Sequence, residues 1–300
     1  MAVKYRTGPS KIVMAAYLLP SLILFLFVVI APIFAAGYFS TFRWPGGKKM
    51  SPVGIQNYID MLHDSIFWHS FGNNLYITVF CLIGQIGFAF LFACLLNTKG
   101  LKAKGFHRVV SYFPVTLSAV VVGFTWTMIY DYSYGILNFL LKLIHREDLV
   151  RGWLSETSTI MAVVSIPLIW QYIGLYLVII LAAMTSISSE VLEMAEIDGA
   201  NGFQKAVHII LPLIRGTLII SVMLCISGNM RVFDHIYAMT RGGPGYASSV
   251  MAQYAYNVSF MQMNMGYGST LSIGILVIST ALVAASRALL TWLSRKGAVE

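Results

Sequence analysis

Long apolar stretches alternate with short polar segments along the chain. Six stretches stand out, at about 12–39, 72–97, 109–130, 158–184, 211–233 and 267–290. Each is long enough to cross a bilayer, because a helix needs about 20 residues to span the roughly 30 Å hydrocarbon layer. The apolar residues run continuously rather than alternating, which favours helices over a β-barrel. The pattern predicts an all-α integral membrane protein, with six transmembrane helices in one domain over residues 1–300.

Composition supports a membrane protein. Hydrophobic residues make up 58% of the chain and charged residues 11%, whereas soluble domains have about 45–50% and about 25%. The three cysteines, Cys81, Cys94 and Cys225, all lie in apolar stretches and are odd in number. We interpret them as small buried hydrophobic residues, neither disulfide-bonded nor metal-binding.

The distribution of basic residues predicts the orientation. The N-terminal segment, the 98–108 and 185–215 loops and the C-terminal end hold twelve lysines and arginines, and the other three loops hold eight. Lys99, Lys102, Lys104 and Arg108 form the densest cluster. Because cytoplasmic loops carry the excess of basic residues, we expect both termini and these two loops in the cytoplasm. The net charge of +8 fits anionic membrane lipid and requires no nucleic acid.

Several chemistries lack their sequence signatures. No GxxxxGK[ST] motif occurs, so the chain has no P-loop for ATP. There is also no HExxH motif and no nucleophile elbow. The acidic residues avoid the centres of the predicted spans, where an ion-coupled carrier usually places ionisable groups. We therefore predict a protein that is not an enzyme and draws its energy from a partner.

Two loops predicted on the outer side differ in character. Residues Trp44 to Ser70 form a polar loop too short for a folded domain. Residues Ile136 to Trp153 show helical spacing of leucine and isoleucine against Lys142, Arg146 and Asp148, which predicts an amphipathic helix along the interface.

The 185–212 segment interrupts the apolar pattern with four carboxylates within the nine residues from Glu190. Ser188 or Ser189 is expected to cap a short helix whose first turns are acidic. Gly199 permits a left-handed backbone, which would end that helix and let a second one begin at Phe203 and run to Ile210. Pro212 is expected to begin the return into the bilayer. The segment offers an apolar contact set, comprising Val191, Leu192, Met194, Ala195, Ala200 and Phe203.

The sequence of this segment resembles the EAA motif of ABC-importer membrane subunits. Residues that match the motif are Glu193, Ala195, Asp198, Gly199, Ala200, Ile209, Leu211 and Pro212, and Met194 replaces the usual first alanine. A second stretch, Met239 to Gly245 (MTRGGPG), resembles the TxGGP turn of sugar-importer permeases of the maltose and glycerol-phosphate type. The large outer domain and extra N-terminal helix of the maltose member are missing.

The resemblance implies a permease of a bacterial carbohydrate importer with the type I fold, in the cytoplasmic membrane. Its implied partners are a second homologous permease, two ABC ATPase subunits that bind ATP and Mg, and an extracellular solute-binding protein that delivers the sugar. The segment would be the coupling helix that contacts the ATPase, with Glu193 pairing to a basic residue. The implied coupling residues are Glu193, Met194, Ala195, Asp198, Gly199, Ala200 and Phe203.

Two alternatives stay open at this point. One is an ABC importer of a non-sugar solute, and the other is a stand-alone secondary carrier, which would be distinguished by whether an ATPase co-purifies with the chain.

The predicted substrate path lies on the fourth and fifth spans. A sugar pocket needs aromatic faces together with amide or hydroxyl groups. Trp170 and Asn229 match pocket positions of the maltose-type family when counted from its motifs, whereas Gln171 and Tyr172 enter on their chemistry alone. With Ser227, these residues form the candidate set.

Overall fold

The computed structural model describes residues 11–98 and 100–296, except for the side chains of Lys11 and of residues 293–296. Lys4, Arg6 and Lys99, which entered the charge count, lie outside the described residues. The described chain is mostly helical. In chain order the helices are α1 (Ile12–Phe39), α2 (Gln56–His63), α3 (Ser65–Asn97), α4 (Lys104–Thr116), α5 (Ala119–Ile129), α6 (Ile136–Leu143), α7 (Ile160–Thr185), α8 (Ser189–Ile197), α9 (Gly202–Leu213), α10 (Arg215–Asn229), α11 (Asp234–Met239), α12 (Met251–Tyr256) and α13 (Met265–Lys296).

The six predicted spans correspond to four continuous helices and two bent pairs. Helices α1, α3, α7 and α13 are each long and apolar enough to cross a membrane. Helices α4 and α5 are long and apolar enough only when taken together, and so are α9 and α10. The bend between the helices is 98° in the first pair and 77° in the second. The predicted spans over 109–130 and 211–233 therefore each contain a bend that the apolar pattern does not indicate.

Each bend has a local cause. Between α4 and α5, Leu117 and Ser118 adopt extended backbone with ψ of 147° and 136°, three residues after Pro114, which cannot donate a helical hydrogen bond. Between α9 and α10, Ile214 leaves helical geometry with ψ of 7°. Pro212 lies in the last turn of α9, and the helix after the bend begins at Arg215.

Helix α3 begins earlier than the apolar pattern predicts. Asp64 caps its N-terminus, with Oδ1 accepting from the backbone N–H groups of Ile66 at 2.9 Å and Phe67 at 3.2 Å. The helix therefore starts at Ser65 and not at residue 72. The first three turns carry several polar side chains, so the apolar pattern does not indicate that the helix starts there.

The described chain divides into two compact units, and residues 11–63 with 255–274 form the first. A two-residue antiparallel ladder pairs β1 (Phe42–Arg43) with β2 (Ser51–Pro52). Asn57 on α2 is buried and donates from Nδ2 to the carbonyl of Ser40 at 2.7 Å and of Phe42 at 3.0 Å. The predicted loop from Trp44 to Ser70 thus contains the second strand of a small hairpin, helix α2 and the start of α3.

Residues 64–254 with 275–296 form the second unit, which has α7 at its centre. Helices α3, α4 and α10 pack against α7. The closest approach is at Gly174, where an added Cβ would overlap the carbonyl of Ser111 and the Cα of Tyr112 on α4. Small residues allow such backbone contact between helices in membranes.

The predicted amphipathic helix over Ile136–Trp153 is shorter than expected. Helix α6 ends at Leu143, and His145 takes a left-handed backbone with φ of +57°. Arg146 then forms an ion pair with Asp148 at 3.0 Å. The apolar spacing beyond Leu143 belongs to turns that pack Trp153 against the core.

Candidate functional site

A cavity of about 310 Å³ lies in the second unit, among α3, α5, α7 and α10. Two predicted residues, Tyr172 and Asn229, line it. Its other lining residues are Gln85, Ala119, Leu168, Leu175, Tyr176, Leu224, Cys225, Gly228, Arg231, Val232, Phe233, Asp234 and His235. The wall therefore combines two tyrosines, two amides and an imidazole with aliphatic side chains.

The two amides in the wall are held in a fixed arrangement. Gln85 Nε2 donates to the carbonyl of Leu168 at 2.9 Å, and its Oε1 accepts from Cys225 Sγ at 3.3 Å. Asn229 Nδ2 donates to the carbonyl of Cys225 at 2.8 Å. Cys225 thus packs as a buried residue, as predicted, and also takes part in a polar contact. Buried amides held in this way are pre-oriented for a ligand.

Gln171 lies behind the cavity wall and joins three elements. It is 1% exposed, and its Nε2 donates to the carbonyl of Leu117, at the bend between α4 and α5, at 2.9 Å. Its Oε1 lies 2.6 Å from His235 Nε2. Because the amide oxygen can only accept, His235 donates this bond from Nε2. Gln171 therefore positions His235, which faces the cavity.

His235 is a neutral group in this setting. Burial lowers the pKa of His235 to about 4, because the charged form loses its hydration. At neutral pH the imidazole is uncharged and its Nε2–H is used by Gln171. The cavity wall therefore presents a hydrogen-bonding ring without adding a charge.

Charged side chains lie at one end of the cavity lining. Arg231 and Asp234 are both exposed. Arg231 donates from Nε to the carbonyl of Ser227 at 3.1 Å and from Nη2 to its hydroxyl at 3.4 Å. Ser227, a predicted substrate-path residue, thus bonds to Arg231 and is not among the residues that line this cavity.

Trp170 also lies outside the cavity lining. Its side chain is 41% exposed and packs edge-on against Trp126, with ring centroids 6.1 Å apart. Successive side chains of an α-helix are rotated by about 100° about its axis. Trp170 and Tyr172, two residues apart, therefore point to different sides of α7. Of the five predicted residues, the structure places two in the wall and one directly behind it.

Three functional candidates were missed by sequence reasoning: Gln85, Tyr176 and His235. Gln85 carries a signal that could have been used, since it is a polar residue inside an apolar span. Tyr176 lies one helical turn beyond Tyr172 and shares its face. His235 gives no signal, because its neighbours in sequence do not reveal that it is buried.

A hydrogen-bonded anchor ties the segment after the Gly-Gly-Pro turn to α3. Asn73 Nδ2 donates to the carbonyl of Ser249 at 2.8 Å, and Ser70 donates to the Ser249 hydroxyl at 3.1 Å. Asn74 Oδ1 accepts from the Met251 N–H at 2.9 Å, while its Nδ2 donates to the carbonyl of Asn229 at 2.9 Å. The last bond connects this anchor directly to a cavity residue.

The 185–212 segment forms the predicted helix–turn–helix. Ser188 takes the N-cap position of α8 but its side chain makes no capping hydrogen bond, and Gly199 has φ of +79°, as expected for the turn. Asn201 and Gln204 form a capping box that starts α9, with both bonds at 2.9 Å. The second helix thus begins at Gly202 and continues to Leu213, beyond the predicted end at Ile210.

The predicted contact set is divided between two sides of this helix–turn–helix. Met194 and Phe203 are 64% and 76% exposed, whereas Ala195 is 5% exposed. Ala195 therefore faces inward, where the close packing of α8 favours a small residue. Ile197, which was not predicted, is 85% exposed. Glu193 and Asp198 are exposed, and Ala200 is half-buried.

An ion pair braces the two short helices. Lys205 Nζ on α9 lies 3.0 Å from Glu196 Oε1 on α8. It crosses the turn at Gly199 and supports the bent geometry. Partly exposed pairs contribute little alone, about 0–1 kcal/mol, so the turn depends mainly on the glycine.

Sequence comparison places the chain in a known family. The chain belongs to the family of binding-protein-dependent transport system inner membrane components, whose sequence profile matches residues 85–297. The family consists of transporter permeases rather than of enzymes. The chain is therefore a multi-pass protein of the inner membrane.

Individual relatives agree with the family assignment. The "Probable ABC transporter permease protein YurN" of Bacillus subtilis (strain 168) is 32% identical over 275 residues, covering 91% of this chain and 94% of that protein. The "Trehalose/maltose transport system permease protein MalF" of Thermococcus litoralis is 29% identical over 283 residues, covering 93% and 94%.

A solved structure shows the same fold. A chain of a bacterial ABC transporter involved in the import of the acidic polysaccharide alginate superimposes with a TM-score of 0.80, at 20% identity and covering 95% of each chain. The fold is that of type I ABC importer permeases, as predicted.

Proposed function

We propose that this chain is the membrane-spanning permease subunit of an ATP-driven, binding-protein-dependent sugar importer. It would form the translocation path with a second homologous permease and couple to two cytoplasmic ABC ATPases, which bind ATP and Mg. An extracellular solute-binding protein would deliver the sugar. Family membership and the trehalose/maltose relative support this proposal, as does a solved neighbour in complex with a pentasaccharide-bound periplasmic protein.

The observation that carries the proposal is the exposed apolar surface of the helix–turn–helix. Met194, Ile197 and Phe203 are each more than 60% exposed. They lie on a segment that is rich in charged side chains. Large apolar side chains grouped at an exposed turn are typical of a protein contact surface. A groove on an ATPase subunit would cover them, and the exposed carboxylate of Glu193 would pair with a basic residue at its edge.

The cavity chemistry supports a sugar. Sugars are neutral and rich in hydroxyl groups, so they bind to aromatic faces and to fixed amides. Tyr172 and Tyr176 supply the rings, Gln85 and Asn229 the amides. A volume of about 310 Å³ lies at the small end of the roughly 300–1,000 Å³ of small-molecule sites. A longer sugar would therefore need surface from the second permease as well.

Tyr172→Ala and Asn229→Ala are expected to lower sugar uptake about tenfold each, because each removes a direct contact worth about 1–2 kcal/mol. Stimulation of the ATPase by the loaded binding protein should largely survive. Trp170→Ala should have a smaller effect, since its ring lies outside the cavity. Uptake into proteoliposomes measures the first effect and phosphate release the second. Parental uptake by both cavity variants would place the substrate path elsewhere.

The proposed orientation has both termini and the helix–turn–helix in the cytoplasm. In a background without reactive cysteines, a cysteine at Lys102 or Glu190 should resist an impermeant thiol reagent in intact cells. A cysteine at Lys48 should react. All three positions are exposed and have ordinary backbone geometry, so access to the reagent decides the result. Labelling in the reverse pattern would reject both the orientation and the coupling role.

A further inference from the structure

The hydrogen bonds around His235 determine which of its two ring nitrogens carries hydrogen. Gln171 Nε2 donates to the carbonyl of Leu117 at 2.9 Å. A carbonyl oxygen can only accept, so the amide oxygen of Gln171 is the atom that faces His235, 2.6 Å from Nε2. The hydrogen between these two groups therefore belongs to His235 Nε2.

The other ring nitrogen, Nδ1, is left as a hydrogen-bond acceptor. Because the pKa of His235 is lowered by burial to about 4, the imidazole is uncharged at neutral pH and carries hydrogen on only one nitrogen. Within the residues that the structure describes, Nδ1 makes no hydrogen bond. Nor is it one of the fully buried polar atoms without a partner, which are found at Thr159 and Ser279. Since His235 lines the cavity, the lone pair of Nδ1 is open to a ligand there.

Packing holds the ring of His235 in place. The residue is 3% exposed, and Tyr172 packs edge-on against it with ring centroids 6.2 Å apart. Its helix α11 lies close against α5 at Gly123, where an added Cβ would come within 2.7 Å of Ala238 Cβ. The ring is thus held by its helix and by the bond at Nε2, so Nδ1 keeps a fixed position. A few fixed polar groups in an otherwise apolar pocket are what determine ligand specificity.

We propose that His235 Nδ1 accepts a hydrogen bond from a hydroxyl group of the transported ligand, and that Gln171 is the positioning residue that fixes the tautomer. This assignment rests on the proposed function and narrows it, because the ligand must carry a hydroxyl hydrogen at this point of the cavity. An ether or deoxy group there would leave Nδ1 without a partner. Sites built around such a hydrogen bond discriminate strongly against the analogue that lacks it.

Two substitutions of His235 separate ligand binding from packing. In His235→Gln the amide nitrogen takes the place of Nε2 and can still donate to Gln171, but nothing replaces Nδ1. In His235→Asn the amide oxygen takes the place of Nδ1, and the bond to Gln171 is lost. We expect His235→Gln to lower uptake about two- to tenfold, the effect of one neutral hydrogen bond, and His235→Asn to lower it less. A purely structural role of His235 predicts the reverse order.

Uptake is measured in proteoliposomes that contain the whole importer and its binding protein, with radiolabelled glucose, maltose and trehalose as the probes. His107→Gln is the matched control, because His107 is exposed on α4 and is not among the residues that line the cavity. It should transport at the parental rate. Parental uptake by His235→Gln would overturn the proposal, and so would lower uptake by His235→Asn than by His235→Gln.

The tautomer is tested without a ligand, by solid-state NMR of the whole importer with nitrogen-15-labelled histidine. The His235 signals are those missing from His235→Asn, and they should show hydrogen on Nε2 and none on Nδ1. Gln171→Leu removes the acceptor and should place hydrogen on Nδ1 in part of the molecules. Hydrogen on Nδ1 in the parent would overturn the proposal whatever the transport result. With the expected tautomer, a parent that takes up none of the three sugars would count against the proposed function and leave Nδ1 assigned as the acceptor.

Discussion

Replacing Gly199 with valine is expected to stop transport while the subunit still inserts into the membrane. Gly199 has φ of +79° and joins α8 to α9. A non-glycine residue in this region costs about 1–3 kcal/mol, and a β-branched residue is the worst case. The turn would open and the exposed set of Met194, Ile197 and Phe203 would no longer present one surface. Uptake should fall by at least about tenfold.

Gly202→Val provides the matched control, since Gly202 lies three residues away with ordinary backbone geometry. Neither glycine has an atom within 4 Å of an added Cβ, so the two variants differ in backbone strain and not in crowding. Transport is measured in proteoliposomes, and insertion by the amount of protein in purified membranes. Normal uptake by Gly199→Val would show that the bent turn is not the coupling element.

Replacing Gly174 with alanine is expected to disrupt the packing of α4 on α7. The new methyl group would overlap backbone atoms of Ser111 and Tyr112, which cannot rotate away as a side chain can. Overpacking of this kind costs about 1–3 kcal/mol. The yield of assembled complex and its thermal midpoint should both fall, as measured by size-exclusion chromatography and by thermal unfolding.

Gly87→Ala on α3 is the control for this variant, because nothing lies within 4 Å of a Cβ added there. It should leave both quantities close to parental values. If Gly174→Ala assembles as well as Gly87→Ala does, α4 and α7 do not require backbone contact for assembly.

The number of spans could be predicted from sequence, but the bends within two of them could not. Apolar runs identified the four long apolar helices and both bent pairs, since burial in lipid constrains composition. The bends at Leu117 and Ile214 lie inside continuous apolar runs, so hydropathy gives no sign of them. Pro114 and Pro212 are the local cues, yet proline also occurs inside α1 and α7 without such a break.

The site was predictable where a short motif fixes local geometry. Gly199 was identified because a positive φ is a local property of the chain. The cavity depends on packing, and its wall brings Gln85 together with Asn229, which is 144 residues away. Tyr172 was found through its chemistry, whereas Trp170 was placed by family spacing and lies outside the wall. Family spacing also gave Asn229, which lines the wall, and chemistry also gave Gln171, which lies behind it, so each approach placed one residue in the cavity lining.

The anchor between α3 and the segment after the Gly-Gly-Pro turn has a consequence for biogenesis. Ser70, Asn73 and Asn74 leave the ribosome long before their partners, which follow 155 to 179 residues later. At about 5–20 residues per second, synthesis of that interval takes roughly 10–35 s. During this time three polar side chains of a membrane helix lack their final hydrogen bonds. The first turns of α3 must therefore remain hydrated, at the membrane surface or beside the insertion machinery, until the last third of the protein is synthesised.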